Sequence, residues 1–120
     1  MKVIDQALLE KVIIERSCIS HKGDYGRLLL LGGTYPYGGA IIMAALAAVK
    51  SGAGLVTVGT DRENISALHS HLPEAMAFAL QDQQLLKEQL EKAEVVLLGP
   101  GLGDDAFGED LVKRVFAKLR

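Results

Sequence analysis

Apolar and polar positions along this chain fall into segments that alternate between strand-like and helix-like periods. Leu28 to Leu31 is an unbroken apolar run, the pattern of a strand covered on both faces. Ala40 to Lys50, apolar almost all round and rich in alanine, predicts a buried helix. Leu55 to Val58 predicts the next strand, Arg62 to His69 a short helix, and Ala75 to Leu80 a further strand. Asp82 to Lys92 has helical spacing with Leu86, Leu90 and Ala93 on one face, and Val95 to Leu98 predicts another buried strand. From Asp105 onward, Phe107, Leu111, Val115 and Leu119 recur every four residues, which predicts a last helix. The alternation implies an α/β fold of βαβ units, with three or four parallel strands joined by right-handed crossovers. One strand is expected at an open edge, and open edges are hazardous unless covered. The chain therefore reads as part of something longer.

The glycines punctuate this pattern. Of the 13, nine fall between Gly23 and Gly59 and four between Gly99 and Gly108, so they mark turns rather than a flexible linker. The first glycine loop, Leu31-Gly-Gly-Thr-Tyr-Pro-Tyr-Gly-Gly-Ala40, runs from a strand into a helix. In an open α/β sheet, ligands bind at the carboxyl ends of strands. The amides near Gly38, Gly39 and Ala40 open the helix and would be unpaired, ready for an anion or a carbonyl oxygen. Gly33 and Gly38 have P-loop spacing, but Gly39 and Ala40 stand where that loop needs a lysine and a hydroxyl. The second loop, Gly99-Pro-Gly-Leu-Gly-Asp-Asp105, also leaves a strand and opens a helix. Asp104 stands where a dinucleotide fingerprint needs its third glycine, and Asp104 or Asp105 is a natural N-cap. Either loop also reads as a turn that serves packing alone.

Smaller signals carry less. His69 and His71 form a His-x-His pair without further ligands at metal spacing, so a solvated loop is the expectation and no metal site is assigned. Tyr35 and Tyr37 flank Pro36 and could stack on a ring, or pack as a lid. Lys22, before the first strand, could reach an anionic ligand, and Glu74 after Pro73 suits a turn or a polar contact. There is no nucleophile elbow and no zinc motif, so the residues alone end at two glycine-lined ligand loops.

Composition narrows the partners. Thirteen Lys+Arg against 15 Asp+Glu give a net charge of −2, unlike the basic footprint of a nucleic-acid binder. The lone Cys18 cannot form an internal disulfide, which suits a reducing compartment. The opening MKVIDQALLEKVIIER lacks the apolar core of a signal peptide, and Ala40 to Val49 is too short to span a bilayer. A cytoplasmic protein with neither nucleic-acid nor membrane partners is expected.

Five runs then stand in order: His21-Lys-Gly-Asp-Tyr-Gly-Arg27, LLLLGGTYPYGGA, Lys50-Ser-Gly-Ala-Gly-Leu-Val-Thr57, Leu72-Pro-Glu-Ala-Met76 and Leu98-Gly-Pro-Gly-Leu-Gly103. Together they resemble the ADP/ATP-dependent NAD(P)H-hydrate dehydratases, from about His21 to the end of the chain. The resemblance implies a three-layer α/β/α, ribokinase-like (Rossmann-like) fold with a mainly parallel sheet, incomplete here, so that residues 1–120 form the N-terminal part of a single domain. It implies a hydro-lyase that returns the S epimer of hydrated NADH or NADPH to NADH or NADPH, with ADP or ATP as co-substrate and Mg²⁺ as helper. Its substrate contacts map to Ala40 and Gly39 and to Gly101 and Gly103, with Lys22 and Tyr37 as further candidates. The family continues through a T-P-H-P-G-E-like stretch and a G-T-G-D motif that this sequence lacks. The catalytic residue is accordingly expected C-terminal to Arg120, and the 120 residues alone are expected to be inactive. The resemblance also suggests a homo-oligomer. Two other readings share the pattern: a ribokinase-like kinase for a vitamin-precursor alcohol, and a non-catalytic truncated half-domain.

Overall fold

The computed structural model describes residues 2–15, 18–20 and 26–118. Among these residues four strands form one sheet: β1 (Arg27–Leu31), β2 (Leu55–Thr60), β3 (Met76–Ala79) and β4 (Val95–Leu98). Their order is β3-β2-β1-β4, and every neighbouring pair is parallel. Among the described residues five helices accompany them: α1 (Gln6–Val12), α2 (Gly38–Lys50), α3 (Arg62–His71), α4 (Gln83–Lys92) and α5 (Ala106–Lys118). This is the α/β architecture that the alternating periods imply.

The leucine run of β1 explains the layers. Side chains alternate across a strand, so Leu30 faces one side and Leu29 and Leu31 the other. Leu30 packs with Ile41 and Ala45 of α2, Val56 and Val58 of β2, and Leu68 of α3. Leu29 and Leu31 pack with Phe78 of β3, Leu86 of α4, and Leu111 and Val115 of α5. Two apolar faces need two covering layers, and the result is helices, sheet, helices. Local chemistry sets several helix starts. Asp5 and Asp82 accept the amides of Leu8 and Leu85 as N-caps, and Asp105 accepts that of Gly108, each such cap contributing about 1 kcal/mol.

Three expectations are corrected. The helix over Ala40 to Lys50 is not buried all round: only Ile41 and Ala45 are buried, and Met43 is 66% exposed, because one face alone meets the sheet. β4 is not a buried strand either. It has one neighbour, and Val95 and Leu97 stay 60% and 41% exposed on the open edge. His69 and His71 sit in the last turn of α3 rather than in a loop, with His69 Nε2 3.0 Å from the Ala75 carbonyl. α1 has no counterpart in the sequence reading. Its charged and apolar residues mix without burying any side chain, so only its Asp5 cap and its own turns define it. Leu119, the last residue of the predicted four-residue series, lies outside the described residues.

Leu30 has no exposed surface, so Leu30→Ala is expected to lower unfolding stability by about 2–5 kcal/mol. Met43→Ala is expected to stay within about 0.5 kcal/mol. Urea unfolding midpoints of the two variants check the assignment of the inner and outer faces of α2.

Candidate functional site

The order β3-β2-β1-β4 reverses direction at β1. The chain leaves β1 through α2 toward β2, and later returns past it to β4. The connections after β1 and β4 therefore diverge, which is where an open α/β sheet ordinarily takes its ligand. The sequence places its two glycine loops there. Leu31 pairs with Leu98, so both loops start level.

Hydrogen bonds join the loops directly. The Gly33 amide donates to the Pro100 carbonyl at 2.8 Å, and the Thr34 amide to the Gly101 carbonyl at 2.9 Å. The Thr34 hydroxyl also donates to the Gly101 carbonyl, at 3.2 Å, and accepts the Gly103 amide at 2.9 Å. Thr34 is buried, and a buried hydroxyl is stable there because its hydrogen bonds are made. No buried side-chain nitrogen or oxygen among the described residues lacks a partner.

Gly101 shows how closely the loops approach. A β-carbon there would strike the Tyr37 carbonyl and lie 3.3 Å from the Ala40 methyl, and its φ of +66° already favours glycine. The structure thus brings Tyr37, Ala40 and Gly101 together. Gly39 lies beside them facing open space, since a β-carbon on it would meet nothing within 4 Å. The amides of Gly38, Gly39 and Ala40 open α2 with no acceptor among the described residues, and Tyr37 makes no side-chain cap. Such a row of unpaired donors at a helix N-terminus attracts an anion or a carbonyl oxygen. Gly103 lines a cavity with Leu102, Asp104 and Val112 rather than with Gly39 and Ala40, and its amide donates to the Thr34 hydroxyl. Tyr35 and Tyr37 are 78% and 58% exposed, so neither ring is locked into the core. The Tyr35–Pro36 peptide bond is cis. Lys22 lies outside the described residues.

Sequence reasoning missed the polar residues that hold this geometry. Thr34 sat within a recognised loop without a role, and Thr60, Asp61 and Asn64 at the β2–α3 junction drew no attention. Thr60 is wholly buried, yet in sequence it extends a strand pattern as a β-branched residue does. Only the three-dimensional crossing of β2 beside β1 makes it a hydrogen-bond donor to the Gly33 carbonyl. Thr34→Val removes the hydroxyl that serves Gly101 and Gly103 and is expected to cost about 1–3 kcal/mol. Thermal and urea unfolding check this, with faster amide exchange at Gly103 as the local signature.

Comparison with known proteins adds independent evidence. A family model described as NAD(P)H-hydrate dehydratase matches residues 28–120. The ADP-dependent (S)-NAD(P)H-hydrate dehydratase of Streptococcus pneumoniae is 91% identical over 120 residues, which is all of this chain and 41% of that protein. A crystal structure of a ribokinase-like superfamily protein from Enterococcus faecalis superimposes with a TM-score of 0.90 at 45% identity, over 96% of this chain and 40% of that one. The ADP/ATP-dependent NAD(P)H-hydrate dehydratase of Bacillus subtilis, co-crystallised with ATP/Mg²⁺, superimposes with a TM-score of 0.75 at 28% identity, over 94% of this chain and 41% of that one. The chain spans about two-fifths of the length of the curated relatives it matches. A match over this span, on a ribokinase-like fold with both glycine loops in place, shows that the chain belongs to the NAD(P)H-hydrate dehydratase family.

Proposed function

We propose that this chain supplies the dinucleotide-binding side of a hydro-lyase. The enzyme returns the S epimer of hydrated NADH or NADPH to the reduced dinucleotide and consumes ADP or ATP. The observation that carries this reading is the joined pair of glycine loops at the sheet's switch point, beside the open amides of Gly39 and Ala40. Backbone donors and small residues suit an extended dinucleotide, which needs close approach more than it needs charged side chains. Gly101 lies against Ala40, Gly103 continues the second loop, and the Tyr37 ring is available to stack on a flat part of the ligand. Lys22 remains a candidate for an anionic group of the same ligand.

Among the described residues, the polar side chains that hold the two loops are already engaged. Thr34 is engaged with the second loop, and the Asp105 carboxylate holds the Gly108 amide. We therefore place the catalytic group C-terminal to Arg120 and expect the 120 residues alone to bind without turnover. Among the described residues no group of three or more His, Cys, Asp or Glu side chains comes together as a metal site. Gly39 and Ala40 likewise offer no lysine or hydroxyl for a terminal phosphate. A nucleotide with its Mg²⁺ would be held by groups beyond this stretch.

On this reading residues 1–120 are the N-terminal part of one domain. The open β4 edge and α5 enclose a groove of about 530 Å³ lined by apolar residues, among them Leu97, Val112 and Phe116. A right-handed crossover from α5, which lies on the same face as α4, would lay the next parallel strand in that groove. A homo-oligomer is supported by the exposed Val3, Ile4, Val12, Ile13 and Ile14 around α1. A cytoplasmic location is supported by the single cysteine, and no helix among the described residues is long and apolar enough to cross a membrane.

Ligand-dependent melting tests the reading. Hydrated NADH or NADPH at one hundred times its dissociation constant is expected to stabilise the complete domain by about 2.7 kcal/mol. ADP-dependent recovery of the reduced-dinucleotide absorbance is expected to follow. A shift with a pyrimidine or thiazole alcohol, and none with the hydrate, would replace this reading with a vitamin-precursor kinase.

A further inference from the structure

The loop between β1 and α2 is gripped from two sides. One side is the 99–103 loop, and the other is the junction of β2 and α3. Thr60, at the end of β2, donates its hydroxyl to the Gly33 carbonyl at 2.9 Å. Asn64, in the first turn of α3, donates Nδ2 to the same carbonyl and lies 3.2 Å from the Thr60 hydroxyl. Between them the Asp61 carboxylate accepts the Tyr35 amide at 2.6 Å through Oδ2, and the Gln81 amide nitrogen at 3.0 Å through Oδ1. Asp61 occupies the N-cap of α3, where an aspartate ordinarily accepts an amide of the first turn. Here that bond is not made, and the carboxylate turns back across the sheet to the loop instead.

We infer that Asp61 and Asn64 are positioning residues for substrate recognition, acting through the β1–α2 loop; the inference rests on the dinucleotide reading of the two loops. The Gly33 carbonyl and the Tyr35 amide, both fixed by the β2–α3 junction, bracket Thr34, which faces the other loop. Only Pro36 and Tyr37 then separate the clamp from α2. The proline ring fixes its own φ, and the Tyr37 amide donates to the Thr34 carbonyl at 2.7 Å. The open amides of Gly39 and Ala40 therefore inherit their placement from the clamp. Asn64 also reaches the helix start itself, since a side chain at Gly38 would strike its amide group. The bond to the carboxylate is charge-assisted and stronger than a neutral one, so it suits a loop whose two tyrosines are otherwise exposed.

The test compares wild type, Asp61→Ala and Asp61→Asn in the complete domain. Asp61→Ala is expected to raise KM for the hydrated dinucleotide about tenfold. The KM for ADP and kcat should stay within about twofold, and amide hydrogen exchange should quicken over residues 33–40. Asp61→Asn keeps an acceptor for the Tyr35 amide and should recover most of both effects. Asn64→Ala serves as the second variant if Asp61→Ala does not fold, with the same signature. An unchanged KM with unchanged exchange overturns the inference. So does an equal rise in both KM values with a lower melting temperature, the mark of general destabilisation. Should the wild type not turn over the hydrate, the enzymatic reading fails, and the exchange measurement alone decides whether the clamp exists.

Discussion

Thr34 joins two stretches of chain that lie almost seventy residues apart. Its amide and hydroxyl both donate to the Gly101 carbonyl, and the hydroxyl accepts the Gly103 amide. These bonds require β1 and β4 to be neighbours in register, which in turn requires the leucines of β1 to be covered on both faces. They also require glycine at position 101, because any side chain there would push the second loop off Tyr37. Once the two loops are joined, the start of α2 is held against Gly101 of the second loop. Affinity for an extended ligand depends on such preorganised donors, since ordering a loose loop on binding would consume part of the interaction energy.

The division of labour within the first loop follows from the sheet order. The Gly33 carbonyl and Tyr35 amide are held by the β2–α3 junction, the Gly33 amide and Thr34 by the second loop, and Pro36 and Tyr37 hand the chain to α2. None of the side chains that do this is itself free for chemistry. On the proposed reading these side chains build a binding frame, in a chain that spans about two-fifths of the length of its curated relatives.

Much of this frame was legible in the sequence. The unbroken run of Leu28 to Leu31 and the four-residue spacing of Leu111 and Val115 reflect burial by neighbours that the same periodicity supplies. The glycine loops were legible because close approach and positive φ admit few other residues, as at Gly101. The character of β4 was not legible, because Val95 to Leu98 has the composition of a buried strand whatever covers its edge. The exposed face of α2 was hidden for the same reason: an alanine-rich helix looks apolar all round whether or not a second surface meets it. The clamp was invisible because Thr60, Asp61 and Asn64 are common residues at a strand end and a helix start. Their partners, Gly33 and Tyr35, lie some thirty residues away.

The central claim is that the paired glycine loops bind the hydrated dinucleotide through the open amides of α2. Amide NMR during titration with the S epimer of hydrated NADH tests it most directly, because each donor reports separately. We expect the largest shifts at Gly39 and Ala40, with changes at Tyr37 and Gly101, while the Gly103 amide stays protected by Thr34. Saturable shifts confined to another surface, such as the groove between the β4 edge and α5, would contradict it.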